Sequence, residues 1–97
     1  MDVVQVLSTI EADICFMGVS SISVKSGLTE KGYEVSVVKK AMIQVSDKVI
    51  AMVDSGKLDT KMPHAVCDLN QLHAIITDLN PKDKKLKEYV ASGVYLI

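Results

Sequence analysis

Short apolar runs separated by polar, turn-forming residues recur along this chain. The clearest are residues 49–53, which are rich in β-branched types, and residues 74–77, and an aspartate follows each run. Apolar runs of this length predict buried strands rather than helices. The same pattern predicts strands at residues 14–17 and 94–97. Residues 20–32 are polar and punctuated by glycine, which predicts a loop or a short irregular strand.

Apolar residues spaced three and four apart predict helices between these strands. Residues 2–10 carry one such stripe, and Asp2 stands where an N-cap is expected. Residues 33–47 carry a second stripe that includes Val38 and Met42, which predicts an amphipathic helix. Glu34, near Lys39 and Lys40 on this helix, is expected to be a helix-surface charge.

A third helix is predicted near the end of the chain. Asn80 suits an N-cap, Pro81 suits the first helical position, and Gly93 suits the end of the helix. Its apolar side is expected to consist of Leu86, Tyr89 and Val90. A short apolar piece at residues 65–67 lies in the connection that leads to this part of the chain.

The alternation of strands and helices predicts an α/β fold with a mostly parallel sheet and right-handed crossover helices. Three helices are too few to cover both faces of such a sheet. The hydrophobic fraction, 48% of 97 residues, is high for a small domain. We therefore expect part of the apolar surface to be shared with another copy, as in a homo-oligomer.

Composition excludes several classes of function. A net charge of -1 gives no electrostatic attraction to nucleic acid, and four scattered aromatic residues cannot form a base-stacking surface. No apolar run is long enough to cross a bilayer, and Met1 precedes no basic segment of a signal peptide. No membrane partner is therefore expected.

The cysteine and histidine residues do not suggest a metal centre. Cys15 and Cys67 lie in apolar runs without partners at metal-ligand spacing, which predicts two buried thiols and a reducing cytoplasm. His64 and His73 likewise lack companions at ligand spacing. Neither a metal nor a cofactor is predicted.

Polar residues follow the strand at 49–53, at the sheet edge where α/β proteins bind ligands. Gly56 permits a tight turn there, and Lys57 places an ammonium just beyond the strand. In the functional interpretation Lys57 binds a phosphate as a point charge, assisted by turn N–H groups, with Asp54 and Ser55 beside it. The alternative is an ordinary polar turn.

A second candidate ligand loop follows the first strand. Gly18, Ser20 and Ser21 offer two hydroxyls and free N–H groups to a phosphate or to sugar hydroxyls. Small residues of this kind also form simple turns. Because the carboxyl ends of parallel strands meet at one edge, the two loops are expected to converge there.

The order of these segments resembles the C-terminal effector domain of DeoR-family transcriptional regulators, over roughly residues 11–97. Residues 12–18 resemble the "ADxxFxG" strand of the family, 26–29 its "xGxT" turn, 38–43 its "VKRAMI" segment, 49–57 its strand ending in "ADxSK", 75–78 its "xITD" strand and 86–94 its closing helix and strand. Residues 19–22 stand where the family carries a glycine-rich loop.

This resemblance implies part of a ribose-5-phosphate-isomerase-like domain that senses a phosphorylated sugar or a related metabolite in a repressor of sugar metabolism. It implies that residues 1–97 correspond to the second half of that effector domain. Neither the family's N-terminal helix-turn-helix nor its "GTT" phosphate loop is found among them, so DNA would be contacted only through the missing domain. Lys57 is expected to contact phosphate, and Asp54, Ser20 and Ser21 are expected to contact hydroxyls.

Two alternatives to an effector domain follow from the same residues. An isomerase-like enzyme fragment shares the fold, but the isomerases place catalytic carboxylates in the loop where this chain has Ser20 and Ser21. We therefore predict no catalytic residue. A pure oligomerisation module would leave Lys57 and the two serines without a role.

Overall fold

Four parallel strands form the main sheet of the computed structural model, which describes residues 2–97. The strands are β1 (Ala12–Gly18), β4 (Ser46–Val53), β6 (Ala74–Thr77) and β7 (Tyr95–Leu96), and they lie in that order across the sheet. All three pairings are parallel. The predicted α/β fold with a mostly parallel sheet is confirmed.

A second, antiparallel sheet packs beside the first and was not expected from the sequence. It contains β2 (Ser21–Ser23), β3 (Gly27–Glu30) and β5 (His64–Cys67), in the order β2-β3-β5. The polar segment at residues 20–32 therefore forms two strands that are held by pairing to a distant one. Gly27 has a φ of 68°, and a Cβ there would lie 2.0 Å from the Cys67 carbonyl oxygen.

The helices are shorter than the sequence pattern predicted. Asp2 caps α1 (Val3–Leu7) by accepting a hydrogen bond from the Val4 N–H at 3.0 Å, as expected. The second helix, α2 (Tyr33–Gln44), stops three residues before the predicted end because the chain enters β4 at Ser46. No helix among residues 2–97 is long and apolar enough to span a membrane.

The predicted start of the third helix at Asn80 and Pro81 is wrong. The Asn80 side chain caps a turn by accepting from the Lys82 N–H at 2.9 Å, and Asp83 then caps a 3₁₀ turn, Lys84–Leu86. Helix α3 follows this turn at Lys87–Ala91. Of its predicted apolar side, Leu86 and Tyr89 are buried, whereas Val90 is exposed.

The hydrophobic core lies between one face of the main sheet and the layer formed by the second sheet, α2 and α3. In β1 and β4 every second side chain points into this core, as the two-residue period of a strand requires. Its most deeply buried large side chains are Tyr89, Met17, Ile22, Leu28, Ile75 and Leu86. Burying each aliphatic or aromatic side chain of this size contributes about 1.5–3 kcal/mol. Cys15 and Cys67 are both buried and unpaired, as predicted.

The opposite face of the main sheet is bare over part of its area. The strand register places Phe16, Ile50, Ala74 and Tyr95 in one row across this face, and the two central residues of the row, Ile50 and Ala74, are buried. Phe16 is 56% exposed and Tyr95 67%, and their neighbours Ile14 and Met52 are also exposed. Parallel sheets normally have both faces buried. This bare face therefore carries part of the chain's exposed apolar surface.

Candidate functional site

The carboxyl ends of β1, β4 and β6 lie side by side at one edge of the main sheet. Gly18 ends β1, Asp54 follows β4, and Asp78 follows β6. Ligands of open α/β sheets bind outside this edge. The parallel order therefore brings together the loops that were predicted from the sequence to converge.

The turn after β4 is a short 3₁₀ turn, Ser55–Lys57, and carboxylates hold its N–H groups. Asp54 Oδ1 accepts from the Gly56 N–H at 3.0 Å, and Asp78 Oδ1 accepts from the Ser55 N–H at 2.8 Å. The hydrogen bond from the Ser55 N–H is the main reason that the pKa of Asp78 lies below its usual value. Because these N–H groups are occupied, a phosphate at this turn would depend on the Lys57 ammonium.

Lys57 projects from the turn as an exposed side chain. Within residues 2–97 no carboxylate forms an ion pair with its ammonium. Its carbonyl oxygen accepts a hydrogen bond from the Thr60 hydroxyl at 2.6 Å, and this hydroxyl is 2.8 Å from Ser21 Oγ. The two predicted loops are therefore joined directly. Ser21 is fully buried in this link, so its side chain connects the loops and does not face an approaching ligand.

A buried ion pair supports the loop after β1, and we did not predict it from the sequence. Lys39 Nζ, on α2, donates to the Gly18 carbonyl oxygen at 2.7 Å and pairs with the Glu30 carboxylate on β3. The side chains of Lys39 and Glu30 are only 19% and 7% exposed. Glu34 is exposed, as expected, and so is Lys40. Lys39 follows Val35 by four residues and precedes Met42 by three, so the helical period places it beside the apolar stripe of α2.

The chemistry of Glu30 bears on whether the site could be catalytic. Burial would raise the pKa of its carboxyl, but hydrogen bonds from Lys39 and the half-buried Ser20 outweigh burial, and the pKa lies below the ordinary value. A carboxylate with a lowered pKa that is already engaged by an ammonium is a weak general base. Residues 2–97 also contain no group of three or more potential metal ligands. The site therefore offers binding groups, namely hydroxyls, carboxylates and two ammoniums.

The fold and this edge define an α/β ligand-binding domain, and comparison with known proteins places it in a family. Residues 1–79 match the family described as the DeoR C terminal sensor domain. The chain belongs to this family, as its strand and turn motifs indicated.

The chain is also similar to several curated transcriptional regulators. It is 33% identical over 95 residues to the HTH-type transcriptional repressor GlcR of Bacillus subtilis, covering 98% of the chain and 36% of that protein. It is 26% identical over 85 residues to the HTH-type transcriptional regulator GlpR of Haloferax volcanii, covering 88% of the chain and 33% of that protein. GolR of Listeria innocua, also an HTH-type transcriptional regulator, is 22% identical over 88 residues. The chain thus spans about a third of the length of these relatives.

Proposed function

We propose that this chain is the effector-binding part of a bacterial transcriptional repressor of sugar metabolism and that its effector is a phosphorylated sugar or a related metabolite. The observation that carries the proposal is the convergence of three polar loops at the carboxyl edge of the sheet in a DeoR sensor domain. An ammonium, a hydroxyl and carboxylates are the groups that recognise a phosphate and sugar hydroxyls. In this proposal Lys57 contacts the phosphate, and Asp54, Ser55 and Ser20 contact hydroxyls, with Gly18 leaving room for the ligand.

The proposal is regulatory and not enzymatic. The relatives are transcriptional regulators, and the carboxylate nearest the β1 loop, Glu30, is paired with Lys39. We further propose that residues 1–97 form the second half of the sensor domain and act in the cytoplasm. In this proposal DNA is bound only by a separate N-terminal domain, as the HTH-type names of the relatives suggest. An effector can change repression only if it binds the two states of the repressor with different affinities.

The test is a thermal-shift screen of the protein against phosphorylated sugars, with the matching unphosphorylated sugars as controls. A ligand that binds only the folded state stabilises it by RT ln(1 + L/Kd), where L is the free ligand concentration, and the melting temperature rises accordingly. We expect at least one phosphorylated sugar to stabilise the protein and its unphosphorylated form to have a smaller effect. Equal stabilisation by the two forms, or none by any phosphorylated sugar, would contradict the proposal.

Lys57→Ala tests the assignment of the phosphate contact. Losing a charge-assisted hydrogen bond should weaken binding by about 1.5–3 kcal/mol, whereas removal of an exposed side chain should change stability by within about 0.5 kcal/mol. Lys48→Ala is the matched control, because Lys48 is an exposed lysine near the amino end of the same strand. Calorimetric titration should show weaker binding for Lys57→Ala and wild-type affinity for Lys48→Ala. Unchanged affinity in Lys57→Ala would show that Lys57 is a turn residue that does not contact the phosphate.

A further inference from the structure

The ammonium of Lys39 lies at the ligand edge of the sheet although its residue belongs to a helix. Its hydrogen bond to the Gly18 carbonyl oxygen, 2.7 Å long, fixes its position at the carboxyl end of β1. The Glu30 carboxylate holds it from the second sheet. This is the single ion pair that the structure records among residues 2–97. Its lysine, Lys39, is hydrogen-bonded to Gly18, where the candidate loop begins.

A partly buried ion pair is weak evidence of stabilisation. Removing two charges from water costs several kcal/mol for each ion, so apolar replacements of similar size are often neutral or stabilising. A lysine ammonium has three N–H donors, and the two acceptors described here, Gly18 and Glu30, leave one donor available. The side chain of Lys39 remains 19% exposed, so it is not sealed from solvent.

The space beside Gly18 is open. A Cβ added to Gly18 would meet no heavy atom within 4 Å, and the residue itself is exposed. Its φ does not lie in the left-handed region, so the backbone conformation does not demand glycine. Ser20, two residues further along the loop, is half-buried. A small oxygen-bearing group could therefore enter beside Gly18 without displacing any described atom.

We propose that the space beside Gly18 receives a phosphate oxygen of the ligand and that Lys39 binds this oxygen with its remaining N–H. This inference rests on the proposed function and adds a second cation to Lys57 at the same edge. Glu30 and the Gly18 carbonyl oxygen hold the ammonium in place before the ligand arrives, which lowers the entropic cost of binding. Glu30 also places a negative charge near the incoming phosphate, so it weakens phosphate affinity while it orients the lysine.

This arrangement predicts opposite effects for the two partners of the ion pair. Lys39→Met removes the donor and should weaken phosphate binding at least about fivefold. Glu30→Gln keeps an oxygen acceptor for Lys39 but removes the opposing charge, and it should tighten phosphate binding by roughly threefold to tenfold. A purely structural ion pair predicts that both variants lose stability and that neither gains affinity.

Gly18→Ala tests the location of the ligand. The added methyl group meets no described atom, so the melting temperature should stay near that of the wild type, but the methyl group fills the proposed space. Phosphate binding should therefore weaken at least about fivefold, because the methyl group would occupy space proposed for the phosphate. Lys40→Met, which removes the exposed neighbouring lysine, is the control for an unspecific effect of charge.

The experiment is a titration of the protein with inorganic phosphate at constant ionic strength, followed by ³¹P NMR. Inorganic phosphate is the group that all phosphorylated sugars share, so the result does not depend on the identity of the sugar. Weaker binding in Gly18→Ala and Lys39→Met, tighter binding in Glu30→Gln and unchanged binding in Lys40→Met would support the inference. If Lys39→Met does not fold, Gly18→Ala carries the test, because it leaves the ion pair between Lys39 and Glu30 intact.

Two results would overturn the inference. One is wild-type phosphate affinity in Gly18→Ala, and the other is the absence of phosphate binding to the wild type. Failure of the proposed function is distinct, because it would be seen in the sugar-phosphate screen and in Lys57→Ala. If sugar-phosphate binding depends on Lys57 but not on Gly18 or Lys39, the further inference is wrong. The proposed function is still supported in that case.

Discussion

The Tyr89 hydroxyl is expected to be a principal stabiliser of the loop that carries the candidate site. Tyr89 is fully buried on α3, and its hydroxyl accepts from the Asp59 N–H at 3.0 Å and lies 2.9 Å from Asp59 Oδ1. It also lies 3.3 Å from the Ile22 carbonyl oxygen on β2. Asp59 has a φ of 59°, a conformation that a residue other than glycine adopts only when neighbouring contacts hold it. Tyr89→Phe removes these contacts and keeps the buried ring.

The expected loss of stability in Tyr89→Phe depends on which polar groups lose a hydrogen-bond partner. The Ile22 carbonyl oxygen still accepts from the Thr60 N–H at 3.1 Å, so it is not left unsatisfied. The exposed Asp59 carboxylate can turn to water, which recovers part of the loss. One hydrogen bond to a charged group and one to a backbone N–H are replaced by solvent contacts. We therefore expect the free energy of unfolding to fall by about 1–2 kcal/mol.

The assay is urea denaturation followed by far-ultraviolet circular dichroism. The midpoint urea concentration should fall and the slope of unfolding free energy against urea should stay unchanged, since the buried area is nearly the same. For a domain of this size the melting temperature should fall by roughly 4–8 °C per kcal/mol. Tyr95→Phe is the matched control, because Tyr95 is 67% exposed and its change should stay within about 0.5 kcal/mol.

A Tyr89→Phe variant as stable as the wild type would contradict this prediction. An equal loss of stability in Tyr95→Phe would also contradict it, because the loss would then not depend on burial. A double-mutant cycle with Asp59→Asn isolates the contact between the two side chains. Additive losses in that cycle would mean that Tyr89 and Asp59 stabilise the protein independently.

Three further predictions concern other parts of the fold. Gly27→Ala should lower the free energy of unfolding by at least about 2 kcal/mol, because its Cβ would meet the Cys67 carbonyl oxygen at 2.0 Å, whereas Gly18→Ala should be neutral in the same urea titration. Burial raises the pKa of Tyr89 to about 12 and that of Cys67 to about 11. Between pH 9 and 12 the unfolded chain therefore binds fewer protons than the folded chain, and stability should fall as pH rises, less steeply in a Tyr89→Phe, Cys67→Ala variant. Finally, the bare sheet face should make the chain self-associate at high micromolar concentration, and Phe16→Ser should weaken this association. A monodisperse wild-type monomer in sedimentation velocity would contradict the last prediction.

Local patterns were sufficient for the main sheet and for the approximate positions of its strands. A run such as residues 74–77 is too short and too apolar to be anything but a buried strand, and the structure has a strand with the same bounds. The cap at Asp2 was also predictable, because a side chain and an N–H two residues away form it. The convergence of Gly18 and Asp54 at one edge followed from the parallel order of the strands. These features depend on neighbours in sequence or on a general rule of sheets.

Features made by residues far apart in sequence required the tertiary structure. Strands β2 and β3 are polar and short, and β3 is stabilised by its pairing with β5, more than 30 residues away. Asn80 and Asp83 both offer cap side chains, and only the packing of Leu86 and Tyr89 against the core selects the later helix start. The helical period places Lys39, but not Lys40, beside the apolar stripe of α2. The partners of its ammonium, Gly18 and Glu30, lie 21 and 9 residues away, and only the tertiary structure supplies them. A charge becomes buried only where the fold provides such partners.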